Sequence, residues 1–146
     1  MKLTSSAFKD NGMIPSKYTC KGENLSPPLE INDVPSNAKS LVLIVDDPDA
    51  PVGVWDHWIV WDIDPCTTTI DEGSVPETAV QGLNSWGKNN YGGPCPPSGT
   101  HRYFFKLYAL DNTLTISQRS KKSDVERVMD GHILAKAELV GLFKKE

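Results

Sequence analysis

His101-Arg102-Tyr103-Phe104-Phe105-Lys106-Leu107-Tyr108-Ala109-Leu110-Asp111 is the stretch on which the fold turns. It is rich in aromatic and aliphatic residues and free of glycine and proline. Successive side chains of a strand point to opposite faces, so His101, Tyr103, Phe105, Leu107 and Ala109 share one face. Arg102, Phe104, Lys106 and Tyr108 take the other. The reading is a long strand whose apolar layer opens, in its first turn, on a histidine and a tyrosine.

The segment that feeds this strand, Gly93-Pro94-Cys95-Pro96-Pro97-Ser98-Gly99, is almost without rotatable freedom. Proline fixes φ, so the loop reads as a stiff rim that delivers His101 and Tyr103 in defined directions. Upstream, Ser40-Leu41-Val42-Leu43-Ile44-Val45 is a nearly continuous apolar run ending at Asp46, the pattern of a strand covered on both faces. His57-Trp58-Ile59-Val60-Trp61-Asp62-Ile63 reads the same way. One helix is predicted: Ser123-Asp124-Val125-Glu126 fits a capping box, and Val125, Val128, Met129 and Ile133 recur at helical spacing through Gly131. Ala137 to Lys144 reads as a closing strand. Eleven prolines and eleven glycines spread along 146 residues favour short strands joined by shaped turns. The expectation is a single β-dominated domain over residues 1–146.

Net charge is −4 with no basic run, which argues against nucleic acid as a partner. No apolar stretch approaches the ~20 residues of a membrane span, and Met1 to Ser6 lacks the apolar core of a signal peptide. Cys20, Cys66 and Cys95 are well separated and form no Cys-x-x-Cys, so neither a disulfide nor a zinc site is expected. Cys95, set between prolines, reads as inert filler. These features point to the cytoplasm, where Asn24-Leu25-Ser26 is a chance sequon. There is no P-loop, no dinucleotide fingerprint and no Gly-x-Ser-x-Gly elbow, so no cofactor and no catalytic activity are expected.

Three clusters carry polar chemistry. Asp46-Asp47-Pro48-Asp49-Ala50-Pro51 follows the first buried strand, with Ala50-Pro51 a candidate cis bond. Its prolines break the spacing of a calcium loop. Trp55-Asp56-His57-Trp58 opens the second strand, close enough along the chain to fold back on Asp47. The third cluster is His101 and Tyr103, with Arg102 facing away as a structural ion-pair partner. The glycine-punctuated loop with Asn84, Ser85, Trp86, Asn89, Asn90 and Tyr91 reads equally as a pocket wall and as a plain turn.

In this order and spacing, Asp47-Pro48-Asp49-Ala50-Pro51, His57-Trp58 and Gly93-Pro94-Cys95-Pro96-Pro97 followed by His101-Arg102-Tyr103 resemble the phosphatidylethanolamine-binding protein family, in its bacterial and archaeal Raf-kinase-inhibitor-like branch. Tyr18-Thr19-Cys20-Lys21-Gly22-Glu23-Asn24-Leu25-Ser26-Pro27-Pro28-Leu29, Tyr108-Ala109-Leu110-Asp111 and Gly131-His132-Ile133-Leu134-Ala135 extend the likeness over nearly the whole chain. The resemblance implies a large central, mainly antiparallel sheet packed on a smaller sheet, with one or two peripheral helices. It also implies an anion pocket at one end of the large sheet. Asp47, His57, His101 and Tyr103 fall on pocket positions, with Asp49, Pro96 and Pro97 lining or shaping it. The long C-terminal extension of the animal members has no counterpart here, so their lipid and kinase roles are not carried over. Prokaryotic relatives imply a homodimer.

The function expected from these residues is recognition of phosphate-like or phosphomonoester head groups. In that scheme Asp47 orients an imidazole and favours its protonated form, and the imidazolium, the Tyr103 hydroxyl and loop amides donate to the anion. Affinity then rises as pH falls through ~6 to 7. One alternative is an inhibitor that recognises a phosphorylated or acidic segment of a protein, such as a kinase. The other is a hydrolase with His57 and His101 as acid and base around Asp47, for which no nucleophile is visible. A metal held by His57, His101 and Asp47 is a minor variant.

Overall fold

The structure is a computed structural model and describes residues 1–145. In chain order the elements are β1 (Lys2–Thr4), β2 (Gly12–Met13), β3 (Leu29–Asn32), β4 (Ser40–Asp47), β5 (Trp55–Ile63), β6 (Thr69–Ile70), β7 (Val80–Gln81), β8 (Thr100–Leu110), α1 (Lys122–Met129) and β9 (Ile133–Lys144). A six-stranded sheet runs β2-β9-β8-β4-β5-β7, and a three-stranded sheet runs β1-β3-β6. Every pairing is antiparallel except β2 with β9. The expected β-dominated, two-sheet architecture is what the chain adopts.

β4 and β8 hold the centre. The alternation of β8 is realised: His101, Tyr103, Phe105, Leu107 and Ala109 are buried, while Arg102, Phe104, Lys106 and Tyr108 are not. Every residue of β4 is buried, because each face is covered by a different layer. Leu41, Leu43 and Val45 join Phe105 and Leu107 in the core under the small sheet, which contributes Leu3, Leu29, Ile31 and Ile70. Val42 and Ile44 face the other way, into a second cluster with Ile59, Trp61, Val125 and Met129 beneath α1. Both layers bury apolar surface at about 25 cal/mol per Å², which explains the unbroken apolar run of Leu41–Val45.

Three local expectations need correction, and one open point is settled. The helix starts two residues earlier than the Ser123 capping box implies: the Asp124 carboxylate accepts the Lys121 N–H at 3.0 Å, and Ser123 lies within the first turn. It also ends at Met129, because Gly131 takes φ 83°, a left-handed conformation that stops a helix. Ile133, read as helical, therefore begins β9 opposite Leu110. Cys20 and Cys95 form a disulfide (S–S 2.08 Å, Cα–Cα 5.5 Å), and Cys66 is free and exposed. Odd cysteine count and wide spacing hid a bond that joins residues 75 apart. Cysteine usage thus no longer argues for a reducing compartment. No cis peptide bond occurs among the described residues, so Ala50-Pro51 is trans. No helix among them is long and apolar enough to cross a membrane.

Candidate functional site

Three segments meet at one end of the large sheet: the end of β4, the start of β5 and the start of β8. Between them lies an open cavity of about 340 Å³. Asp47, His57, His101 and Tyr103 all line it, as do Pro96 and Pro97 from the rim loop. The residues named from sequence therefore converge, with one exception. Asp49 is absent from the lining and is bound instead by Arg102, whose backbone N–H, Nε and Nη2 approach its carboxylate at 2.9, 2.9 and 2.8 Å. The guanidinium beside it holds the Asp49 carboxyl at about 2. Asp49 shapes the rim and ties the β4–β5 loop to β8, which is the structural ion pair expected of Arg102.

His57 reaches the pocket through a bulge. Along the β4–β5 ladder Asp47 lies opposite Trp55, Asp46 opposite Asp56, and Val45 opposite Trp58, so His57 is an extra residue. Strict alternation would put it with Ile59 and Trp61, on the α1 side. The bulge re-aims it to the pocket side. There its Nδ1 donates to the Gly92 carbonyl at 2.6 Å, since a carbonyl only accepts, and Gly92 N–H returns a bond to His57 O at 3.0 Å. Trp86 and Tyr103 stand edge-on to the ring at 5.1 and 5.2 Å.

Asp47 is fully engaged. Its Oδ2 accepts from His101 Nδ1 at 2.6 Å and its Oδ1 accepts the Asp49 N–H at 2.7 Å. Asp47 and His101 are both buried. A carboxylate so committed orients its imidazole and has both oxygens turned to partners within the protein.

The second histidine departs from expectation. Burial pushes the His57 pKa down and outweighs the Gly92 carbonyl and the Asp47, Asp46 and Asp56 carboxylates, which all act upward. With Nδ1 carrying the proton, neutral His57 offers Nε2 as an acceptor. Tyr103 behaves oppositely. Burial, with Asp47 adding to it, drives its pKa up, so it stays a hydroxyl. That oxygen is buried and has no hydrogen-bond partner. The Cys95 N–H comes near it without meeting hydrogen-bond geometry.

The rest of the wall lay outside the sequence assignments. Trp55 and Trp86 pack edge to face at 5.5 Å and both line the cavity, as do Ala50, Pro51 and Val52. Trp86 belongs to the loop that read equally as wall or turn, and it is wall. Asn84 organises that loop, accepting from the Trp86 and Lys88 N–H groups and donating to Asn90 O. Cys95 is no filler: it lines the cavity while its disulfide anchors the rim. The segment it is tied to adds three bonds: Cys20 N–H to Pro94 O, Gly93 N–H to Asn24 Oδ1, and Tyr91 hydroxyl to Tyr18 O. No group of His, Cys, Asp and Glu suited to a metal ion occurs among the described residues.

The family model described as phosphatidylethanolamine-binding protein matches residues 4–144. A UPF0098 protein of Methanothermobacter thermautotrophicus is 52% identical over 150 residues, covering 99% of each chain. A UPF0098 protein of Chlamydia trachomatis is 48% identical over 151 residues and covers both chains fully. Among solved structures, a putative phosphatidylethanolamine-binding protein homolog from Chlamydia trachomatis, CT736, superposes with a TM-score of 0.96 at 48% identity, covering 99% of this chain and 97% of that one. Escherichia coli YbcL, described as a new member of the mammalian family, superposes with a TM-score of 0.92 at 31% identity, covering 99% and 98%.

Proposed function

The chain belongs to the phosphatidylethanolamine-binding protein family, and on that premise we propose that its pocket binds phosphate-like anions such as the head of a phosphomonoester. The observation that carries this reading is the buried, unpartnered Tyr103 hydroxyl in a cavity also lined by two histidines. A buried donor without a partner costs about 1–3 kcal/mol, and a ligand oxygen seated there recovers it. His101, fixed by Asp47 through Nδ1, has Nε2 left for the ligand. His57, neutral and with Nδ1 taken, accepts through Nε2.

Acceptor nitrogens beside the Tyr103 donor favour an oxyanion that carries a proton of its own. The P–OH of a protonated phosphate donates to Nε2 of His57 or His101 while another of its oxygens accepts from Tyr103. For a phosphomonoester, affinity rises as pH falls toward its second pKa near ~6, the direction expected from the sequence. The proton, however, sits on the ligand rather than on His57. Sulfate has no proton to give at that pH and is the discriminating probe. Calorimetry with inorganic phosphate and with sulfate tests this: phosphate binds, sulfate binds more weakly, and Tyr103→Phe weakens phosphate. Equal affinities for both anions, or no binding of either, refute the reading.

The exposed apolar rim supports a second form of the same recognition. Val52 is 82% and Trp86 44% exposed at the cavity mouth, a surface suited to the chain around a phosphorylated or acidic side chain of a protein such as a kinase. Capture of such a partner, released by free phosphate, separates this form from a small-molecule ligand. Turnover forms no part of the proposal: the Cys95 sulfur in the cavity wall is committed to Cys20.

A further inference from the structure

Asp46 and Asp56 stand directly opposite each other across β4 and β5, next to the His57 bulge. Like charges in that position repel and weaken the pairing. Here the pair is also withdrawn from water: Asp46 is buried and Asp56 largely so. Lys122, the first residue of α1, sets its ammonium between them, 3.2 Å from Asp46 Oδ2 and 2.9 Å from Asp56 Oδ1. The contact to Asp56 falls outside hydrogen-bond geometry, so Lys122 acts on it as a charge. Lys106 of β8 also reaches Asp46 Oδ2, at 3.0 Å, but has no contact with Asp56. Among the described residues, Lys122 alone pairs with both carboxylates.

The bridge lies on the α1 side of the sheet, whereas the pocket is on the other. What connects them is the bulge. Asp46 is followed by Asp47, and Asp56 by His57, so the bridged pair and two pocket residues are chain neighbours. If the two carboxylates part, the Val45–Trp58 and Asp46–Asp56 pairs that bracket His57 lose their spacing. The ring then turns relative to the Gly92 carbonyl.

We propose that Lys122 is a positioning residue for the pocket: bridging Asp46 to Asp56 through the sheet, it keeps the His57 bulge closed and so aims the imidazole. The effect on ligand affinity rests on the phosphate reading above, but the effect on His57 does not. Proton and carbon NMR of the His57 ring in the ligand-free protein reads it directly, since the Trp86 and Tyr103 rings at 5.1 and 5.2 Å displace its resonances. In Lys122→Met those resonances move toward ordinary histidine values. In Lys106→Met, which spares the bridge, they stay. In Lys122→Met/Asp56→Asn, where the repulsion is gone, they return to the wild-type positions, and this variant also serves if the single substitution folds poorly. Phosphate affinity follows the same order, with Kd about tenfold weaker in Lys122→Met, the scale on which losing an orienting partner acts. Unmoved resonances in Lys122→Met overturn the proposal, as do equal shifts from Lys106→Met or a failure of the double substitution to restore them. Wild-type protein that does not bind phosphate refutes the ligand reading and leaves the NMR result to decide the role of Lys122.

Discussion

Replacing Cys20 and Cys95 by serine separates two tasks that the disulfide performs. The bond closes a loop of 75 residues. By chain entropy, a loop of that length withholds about 4.5 kcal/mol of freedom from the unfolded chain. For a domain of this size the double substitution lowers Tm by roughly 15 °C. The folded rim, in contrast, keeps its three other ties: Cys20 N–H to Pro94 O, Gly93 N–H to Asn24 Oδ1, and Tyr91 hydroxyl to Tyr18 O. Burial drives the Tyr91 pKa up, so its hydroxyl stays protonated and keeps donating to Tyr18 O. Phosphate affinity should therefore change by no more than about threefold, well below the ~1.4 kcal/mol that a tenfold change represents. Urea unfolding gives the first quantity and calorimetric titration the second. A stability loss under about 1 kcal/mol refutes the entropic account, because the unfolded chain would then already be confined. An intact stability with affinity lost tenfold or more would show that the bond holds the pocket rather than the chain.

Other substitutions probe single contacts. Tyr103→Phe removes an unpartnered buried hydroxyl, so stability rises by about 1 kcal/mol by denaturant titration while phosphate binding falls at least about tenfold. His57 makes the protein acid-sensitive. The unfolded chain takes up a proton at the ordinary value of 6.5 and the folded chain only at lower pH, so stability is full above 6.5 and declines as pH falls below it. His57→Gln should flatten that slope in a series of urea midpoints, and an unchanged slope would contradict a burial-depressed pKa. In Gly92→Ala the new Cβ would stand 2.2 Å from the Trp86 ring, which must swing outward. Tryptophan emission shifts to the red, and stability drops by about 1–3 kcal/mol.

The parts of the fold that sequence disclosed are those where one rule acts without exception. β8 alternates from His101 to Ala109 with no bulge until its far end, so faces read from spacing are the faces found. β4 is apolar throughout because two layers cover it, and an apolar run records that directly. His57 is different. Its face depends on one extra residue in β5, set by the pairing with β4, and alternation would have assigned it to the wrong side. The family resemblance supplied what spacing did not. Gly131 looked like a tolerated interruption because φ 83° is invisible in a hydropathy pattern. Asp49 reads as a pocket residue from the sequence because its true partner, Arg102, is 53 residues away, a pairing that spacing does not disclose. Trp86 went unassigned since its role depends on the room left by Gly92, a contact between residues in one loop.

The Cys20–Cys95 bond also has a kinetic side. Three thiols allow three pairings, and the third thiol, Cys66, lies within the loop that the native bond closes. Cys66 with Cys95 would close a loop less than half as long, favoured by about 0.8 kcal/mol in an unfolded chain. Oxidation before folding therefore traps a cross-link that the finished sheet cannot contain, since Cys66 ends up exposed beyond β5 while Cys95 lies in the pocket wall. Production of this protein should depend on the order of events, with yields highest when the chain folds reduced and oxidises afterwards. Cys66→Ser should remove that dependence.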